Sequence, residues 1–259
     1  MLEEVIGNNI IMNEKHLDDL VSYLKFPSVS TDSHYKENVR DCAEWLSSKI
    51  DEVGLEASIH ETSGHPIVIG KNKHSEDKPT VMIYGHYDVQ PADPIDLWDS
   101  PPFEPLIKDG KIYARGSTDN KGQHLAHLLG LGETLSENGD LPVNIIYLVE
   151  GEEEIGSPNL EPFLIENKED LACDVIAVSD TGMIGPGMGT FTYGLRGVAC
   201  MEVKVIGPSK DLHSGVFGGA VANPCTAISK MISSLHDLDG RIKVDGFYDR
   251  VKKIEGWEK

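Results

Sequence analysis

Up to about residue 180 the chain alternates short apolar runs with segments of helical period, and four of the runs lead into an acid or a histidine. "TVMIYG" leads into His86-Tyr87-Asp88 and "IYARGST" into Asp119. "VNIIYLVEG" leads into Glu152, Glu153 and Glu154, and "CDVIAVS" into Asp180. Strands of nearly continuous apolar character between helices specify an α/β fold, a largely parallel central sheet flanked by helices. Ligands of such sheets sit outside the carboxyl ends of the strands. If these ends share one edge, an imidazole and several carboxylates converge there. Three adjacent glutamates repel one another unless solvent or a cation neutralises them.

The periodicity predicts helices over 13–24, with Asn13 as cap, and over 37–53, stopped by Gly54. Another helix is predicted over 120–136 and a short one in "SPNLEPFLIEN". Strands are predicted at "PIVIG", "TVMIYG", "GKIYARG", "VNIIYLV" and "CDVIAVSD", and no regular structure in the Pro-rich "VQPADPIDLWDSPPFEP". From Gly187 the texture changes. "VACMEVKVIG" alternates as a half-exposed strand should, and "NPCTAISKMISSL" reads as an amphipathic helix opened by Asn223-Pro224. The domain boundary is placed near residue 195, giving domains 1–195 and 196–259.

A formal net charge of −20 over 259 residues argues against binding a nucleic-acid backbone or an anionic membrane surface, and is compatible with divalent cations. The first twenty residues lack the basic start and apolar core of a signal peptide, and no stretch reaches membrane-spanning length. Cys42, Cys173, Cys200 and Cys225 form no CxxC pair and read as reduced, mostly buried thiols of a cytoplasmic protein.

A mixed set of histidine and carboxylates is what hydrolytic zinc uses, with an open position for water. His86 and Asp88 stand two apart in an extended segment, so their side chains point the same way and Asp88 can fix the His86 tautomer rather than bind the ion itself. Each feature alone has a plainer reading: "HYD" as a turn, Asp180 as a cap, the glutamates as a solvated turn. Their coincidence favours the site. His124 and His127 read as surface or partly buried helix histidines. Trp98 and Phe103 line a pocket or pack over the sheet edge, and Arg196 binds a substrate carboxylate or serves a salt-bridged turn.

"YGHYDVQPADPIDLWDSPPFEP", "DGKIYARGSTDNKGQ", "EGEEEIGS" and "DLHSGVFGG" together resemble the M20 metallopeptidases, in the dipeptidase branch related to cytosolic nonspecific dipeptidase and carnosinase. The likeness runs from near residue 15 to the end of the chain. It implies that His86 and Asp180 hold one zinc and Glu154 a second, with Asp119 bridging the two. Manganese or cobalt could replace zinc. Glu153 matches the general base, and Asp119-Asn120 a peptide bond that is cis in the family. His213 matches a histidine that reaches the neighbouring subunit's active site in dimeric relatives and steadies the developing oxyanion. Glu152 inherits no role and reads as solvated. The implied reaction is hydrolysis of dipeptides or short peptides by zinc-activated water. The implied assembly is a homodimer formed through a lid domain.

The family's chain is longer. Its return segment brings a histidine to the Glu154 site, and its lid extends beyond what is present here. The resemblance therefore implies a partial lid over 196–259, at most one zinc held well, and poor stability in isolation. Two alternatives follow: a deacylase of N-acyl amino acids, and a catalytically inactive fragment that binds a fuller partner.

Overall fold

The computed structural model describes residues 13–185 and 187–256. The signal-peptide reading rests largely on residues 1–12, outside the described residues, and the C-terminal "WEK" lies outside them too. The chain divides into two compact units, Met1–Thr192 and Tyr193–Lys259, against a boundary read from the sequence near residue 195.

In the first unit α1, Glu14–Leu24, is capped by Asn13, whose side chain accepts from the Lys15 N–H at 3.0 Å. Helix α2, Lys36–Glu52, buries Val39, Cys42, Ala43, Leu46 and Ile50 along one stripe. It stops before Gly54, whose φ of +94° suits a residue without Cβ. The strands are β1 (Glu56–His60), β2 (Ile67–Lys71), β3 (Thr80–His86), β4 (Leu106–Lys108), β5 (Lys111–Tyr113), β6 (Asn144–Glu150) and β7 (Val175–Val178). Helices α3, Lys121–Asn138, and α4, Leu160–Glu166, complete the unit.

Five strands form the central sheet in the order β1-β2-β6-β3-β7. Strands β6, β3 and β7 run parallel, and β2 and β1 are added antiparallel at one edge. Every residue of β6 is buried, because both of its faces are covered. Ile145, Tyr147 and Val149 join the core with α2 and α3, while Ile146 and Leu148 pack with Phe163 of α4. This two-sided burial explains the unbroken apolar run. Because β3, β6 and β7 are parallel, their carboxyl ends lie on one edge.

Several elements differ from the sequence reading. Strand β1, "EASIH", and the three-residue β4 carry too few apolar residues to register, yet β1 pairs with β2 along its full length. The Pro-rich connection holds one short 3-10 turn, Ile95–Leu97. The predicted strand at 198–207 does not form; a strand needs a partner for its ladder, and none pairs with it among the described residues. Of the four free cysteines only Cys42 is buried, Cys173 is half-buried, and Cys200 and Cys225 are exposed.

The second unit contains α5, Ser214–Phe217, and α6, Pro224–Ser234. Asn223 caps α6 by accepting from the Cys225 N–H at 2.8 Å, with Pro224 in the first turn. Leu195, Val198, Met201 and Ile206 are largely exposed. No helix among the described residues is long and apolar enough to cross a membrane.

Candidate metal centre

His86 is the last residue of β3, and its side chain is fully buried. Its Nδ1 lies 3.0 Å from the Asp88 carbonyl oxygen and 3.3 Å from Asp88 Oδ1, so Nδ1–H donates there and, in the neutral ring, Nε2 keeps its lone pair. Nε2 faces Asp119 Oδ1 at 3.2 Å and Asp180 Oδ2 at 3.4 Å, yet has no hydrogen-bond partner among the described residues. A buried, unpartnered nitrogen facing two carboxylates is the arrangement a cation satisfies.

Among the described residues, two groups of three ligand atoms lie within 4.8 Å of one another: His86, Asp119, Asp180 and His86, Glu153, Glu154. They share the imidazole. Asp119 is 57% exposed and Asp180 25%, which leaves the carboxylate side of the cluster open to an incoming ligand. Burial opposes the imidazolium of His86, but the hydrogen bond and charge of Asp88, with the charges of Asp180 and Glu153, push its pKa up to about 9. The same field that raises a proton's affinity for Nε2 raises a metal ion's.

The carboxyl end of β6 turns into a 3-10 segment, Glu153–Ile155. Asp88, fully buried, holds this turn: Oδ1 accepts from Glu153 N–H at 3.2 Å, and Oδ2 from Glu154 N–H at 3.1 Å. The Ser30 hydroxyl also donates to Oδ2, at 2.6 Å. Asp88 thus joins the imidazole to both glutamates. Gln90 Nε2 donates to Glu154 Oε2 at 2.7 Å. Burial raises the pKa of Glu153; His86 opposes the rise, while Glu154, Asp180 and Asp88 add to it. Glu154 is raised by burial and by Asp119, against the Gln90 hydrogen bond.

The Asp119-Asn120 peptide bond is cis. Asn120 stands immediately before α3, and its Oδ1, rather than capping the helix, accepts from the His86 N–H at 3.1 Å, tying the Asp119 segment to the end of β3. Gly85 allows this approach, since a Cβ there would stand 2.6 Å from His124 Cβ and 2.9 Å from Asn120 Oδ1. Gly85→Ala is expected to cost about 1–3 kcal/mol of unfolding free energy, because His124 Cβ is fixed to a helix backbone and cannot yield. An unchanged urea midpoint would contradict this.

Sequence reasoning misread Glu152 and His124 and missed Glu150. Glu152 is not solvated: it is 4% exposed and accepts from His65 N–H at 3.2 Å and Asn159 Nδ2 at 2.7 Å. Its charge suggested solvent, but its partners stand elsewhere in the chain. Glu150, buried beside His86 in the ladder, accepts from Tyr84 at 2.6 Å and Ser157 at 2.8 Å. His124 is buried between the hydroxyls of Tyr23 and Tyr147, and His127 Nε2 meets the Ser179 hydroxyl at 2.6 Å. Both pKa values are lowered by burial. Trp98 donates to the Ala92 carbonyl at 2.8 Å beneath the Arg115 guanidinium, and Phe103 is half-buried. Arg196 and His213 belong to the second unit; His213 caps α5, its Nδ1 accepting from the Gly215 N–H at 3.0 Å.

Residues 82–245 match the profile of "Peptidase family M20/M25/M40". The chain is 36% identical over 259 residues to the Cys-Gly metallodipeptidase of Schizosaccharomyces pombe, covering 93% of this chain and 54% of that protein. It is 40% identical over 189 residues to the human Beta-Ala-His dipeptidase, covering 72% of this chain and 37% of that one. Human carnosine dipeptidase 1 superposes with a TM-score of 0.80 at 30% identity, over 99% of this chain and 57% of that one. The dipeptidase Dug1p of Saccharomyces cerevisiae gives 0.77 at 30% identity, over 95% and 55%. The chain spans about half the length of these relatives. The family implies a divalent metal, and the unpartnered Nε2 among carboxylates fits one. With its matched residues covering most of the chain and its strand-end carboxylates gathered on one imidazole, the protein belongs to peptidase family M20/M25/M40.

Proposed function

We propose that the protein hydrolyses dipeptides with the help of divalent metal. The carrying observation is the buried His86 Nε2, without a hydrogen bond and faced by Asp119 and Asp180. One imidazole with carboxylates suits zinc, and manganese or cobalt as substitutes. His86 and Asp180 would hold one ion and Glu154 another, with Asp119 between them. When bound, such ions polarise a carbonyl and acidify water.

The protein's own groups do the rest. Asp88 holds the His86 ring with Nε2 outward, and Gln90 steadies Glu154. Glu153 takes a proton from the attacking water and delivers it to the leaving amine, a role that its raised pKa supports. His213 would serve the site of a neighbouring copy in a homodimer by donating to the developing oxyanion. The relatives' names point to Cys-Gly and β-Ala-His as first substrates. A cytoplasmic location suits the exposed thiols of Cys200 and Cys225.

The test is release of free amino acid from both dipeptides by the purified protein, with bound metal counted on the same sample. Turnover that chelation removes and zinc restores is expected. Cleavage of N-acetyl amino acids but not dipeptides would replace the reading with a deacylase. No turnover of either, with metal bound, would refute it.

A further inference from the structure

We infer that Glu152, a side chain outside both ligand groups, positions Glu153 and Glu154; the role rests on the metal reading above. Burying a carboxylate is costly unless it is hydrogen-bonded, and the chain builds a receptor for this one from the β1–β2 connection and Asn159 at the start of α4. His65 N–H and Asn159 Nδ2 each donate to one of its oxygens. Gly64 lies flush against it: a Cβ there would stand 1.8 Å from Glu152 Oε1 and 2.9 Å from Asn159 Nδ2. The receptor is itself braced. Ser63 donates to Asn159 Oδ1 at 2.6 Å, and Thr62 Oγ1 accepts from Gly64 N–H at 3.0 Å while donating to the His65 carbonyl at 2.7 Å.

The main chain of Glu152 is equally engaged. Its carbonyl accepts from Ile155 N–H at 3.2 Å and Ser157 N–H at 2.8 Å, closing the turn that carries Glu153 and Glu154. Asp88 holds the amides of those two glutamates. Two separate anchors thus fix the turn: Asp88, two residues past β3, and, through Glu152, the β1–β2 connection together with Asn159. An apolar residue at 152 would leave His65 N–H and Asn159 Nδ2 without these acceptors and free the start of the turn. Glutamine would keep a carbonyl oxygen and the length of the side chain.

Amide hydrogen exchange at Glu153 and Glu154 tests this without any metal, so its outcome is separate from that of the metal reading. In Glu152→Ala those two amides are expected to exchange about tenfold faster, with the amides of α2 and α3 unchanged, and Glu152→Gln should restore most of the protection. Gly64→Ala, which pushes the carboxylate out of its receptor, should give the same local signature. Where Co2+ binds the wild type, Glu152→Ala should weaken it about tenfold and alter its visible absorption. If Glu152→Ala does not fold, Asn159→Ala, which removes one donor from a half-buried position, decides the matter by the same two amides. Wild-type exchange at Glu153 and Glu154 in the variants that fold, or acceleration spread evenly over the unit, would overturn the assignment.

Discussion

Replacing Glu153 by glutamine is expected to lower dipeptide turnover by about 10²–10⁴-fold, the usual worth of a positioned acid or base. Glutamine keeps the shape and the hydrogen-bonding oxygen but cannot take a proton from water. The turn should survive, because the Glu153 amide, not its side chain, is what Asp88 holds. The His86, Asp119 and Asp180 group does not include Glu153, so metal uptake there should persist. Metal counted on the variant therefore separates two explanations. Lost turnover with metal retained identifies the base. Lost turnover with lost metal would make Glu153 a ligand, and turnover near that of the wild type would remove it from the chemistry.

The largest effect on stability is expected at Asp88. Its carboxylate is fully buried and serves the Ser30 hydroxyl, the amides of Glu153 and Glu154, and the His86 ring. Asp88→Ala leaves all of them without that acceptor in a space that solvent enters poorly. Buried groups left unpaired cost about 1–3 kcal/mol each, and relaxation shares part of that, so a loss of about 3–5 kcal/mol is expected. That is a large fraction of the stability of an ordinary domain. Metal affinity should fall with it, since the imidazole keeps the Asp88 carbonyl but loses the neighbouring carboxylate whose charge raises its affinity for cations. Asp88→Asn keeps one acceptor and should lie between the two. Denaturant unfolding beside metal titration reads both quantities, and an Asp88→Ala protein as stable and as metal-avid as the wild type would refute the hub.

The strand ends were legible because each carried its own signal. An apolar run that stops in His86 or Asp180 announces both a strand and the chemistry at its end, and parallel pairing does the gathering. Asp88 was legible from its spacing to His86. Glu152 was not, because a glutamate beside two others reads as solvent-facing until its receptor is known, and His65 lies 87 residues away in the chain. Strand β1 escaped because it sets only Ala57 and Ile59 against the main core, while Glu56 and Ser58 are exposed and His60 packs edge-on to Phe163. The segment 198–207 erred the other way: its alternation suits a strand, but alternation supplies no partner.

Among the described residues, strand β7 is the edge of the sheet, four residues paired with β3 alone, and Val175, Ile176 and Val178 are each more than half exposed. Two residues past its end, Asp180 reaches His86 at the carboxyl end of the neighbouring strand β3. The carboxylates gathered there repel one another, a cost that falls on the edge strand carrying Asp180. A divalent cation reverses the sign, so the same charges draw β7 inward. Metal affinity and the adherence of this strand are then one equilibrium seen from two ends: whatever loosens β7 weakens the ion, and the ion fastens the sheet.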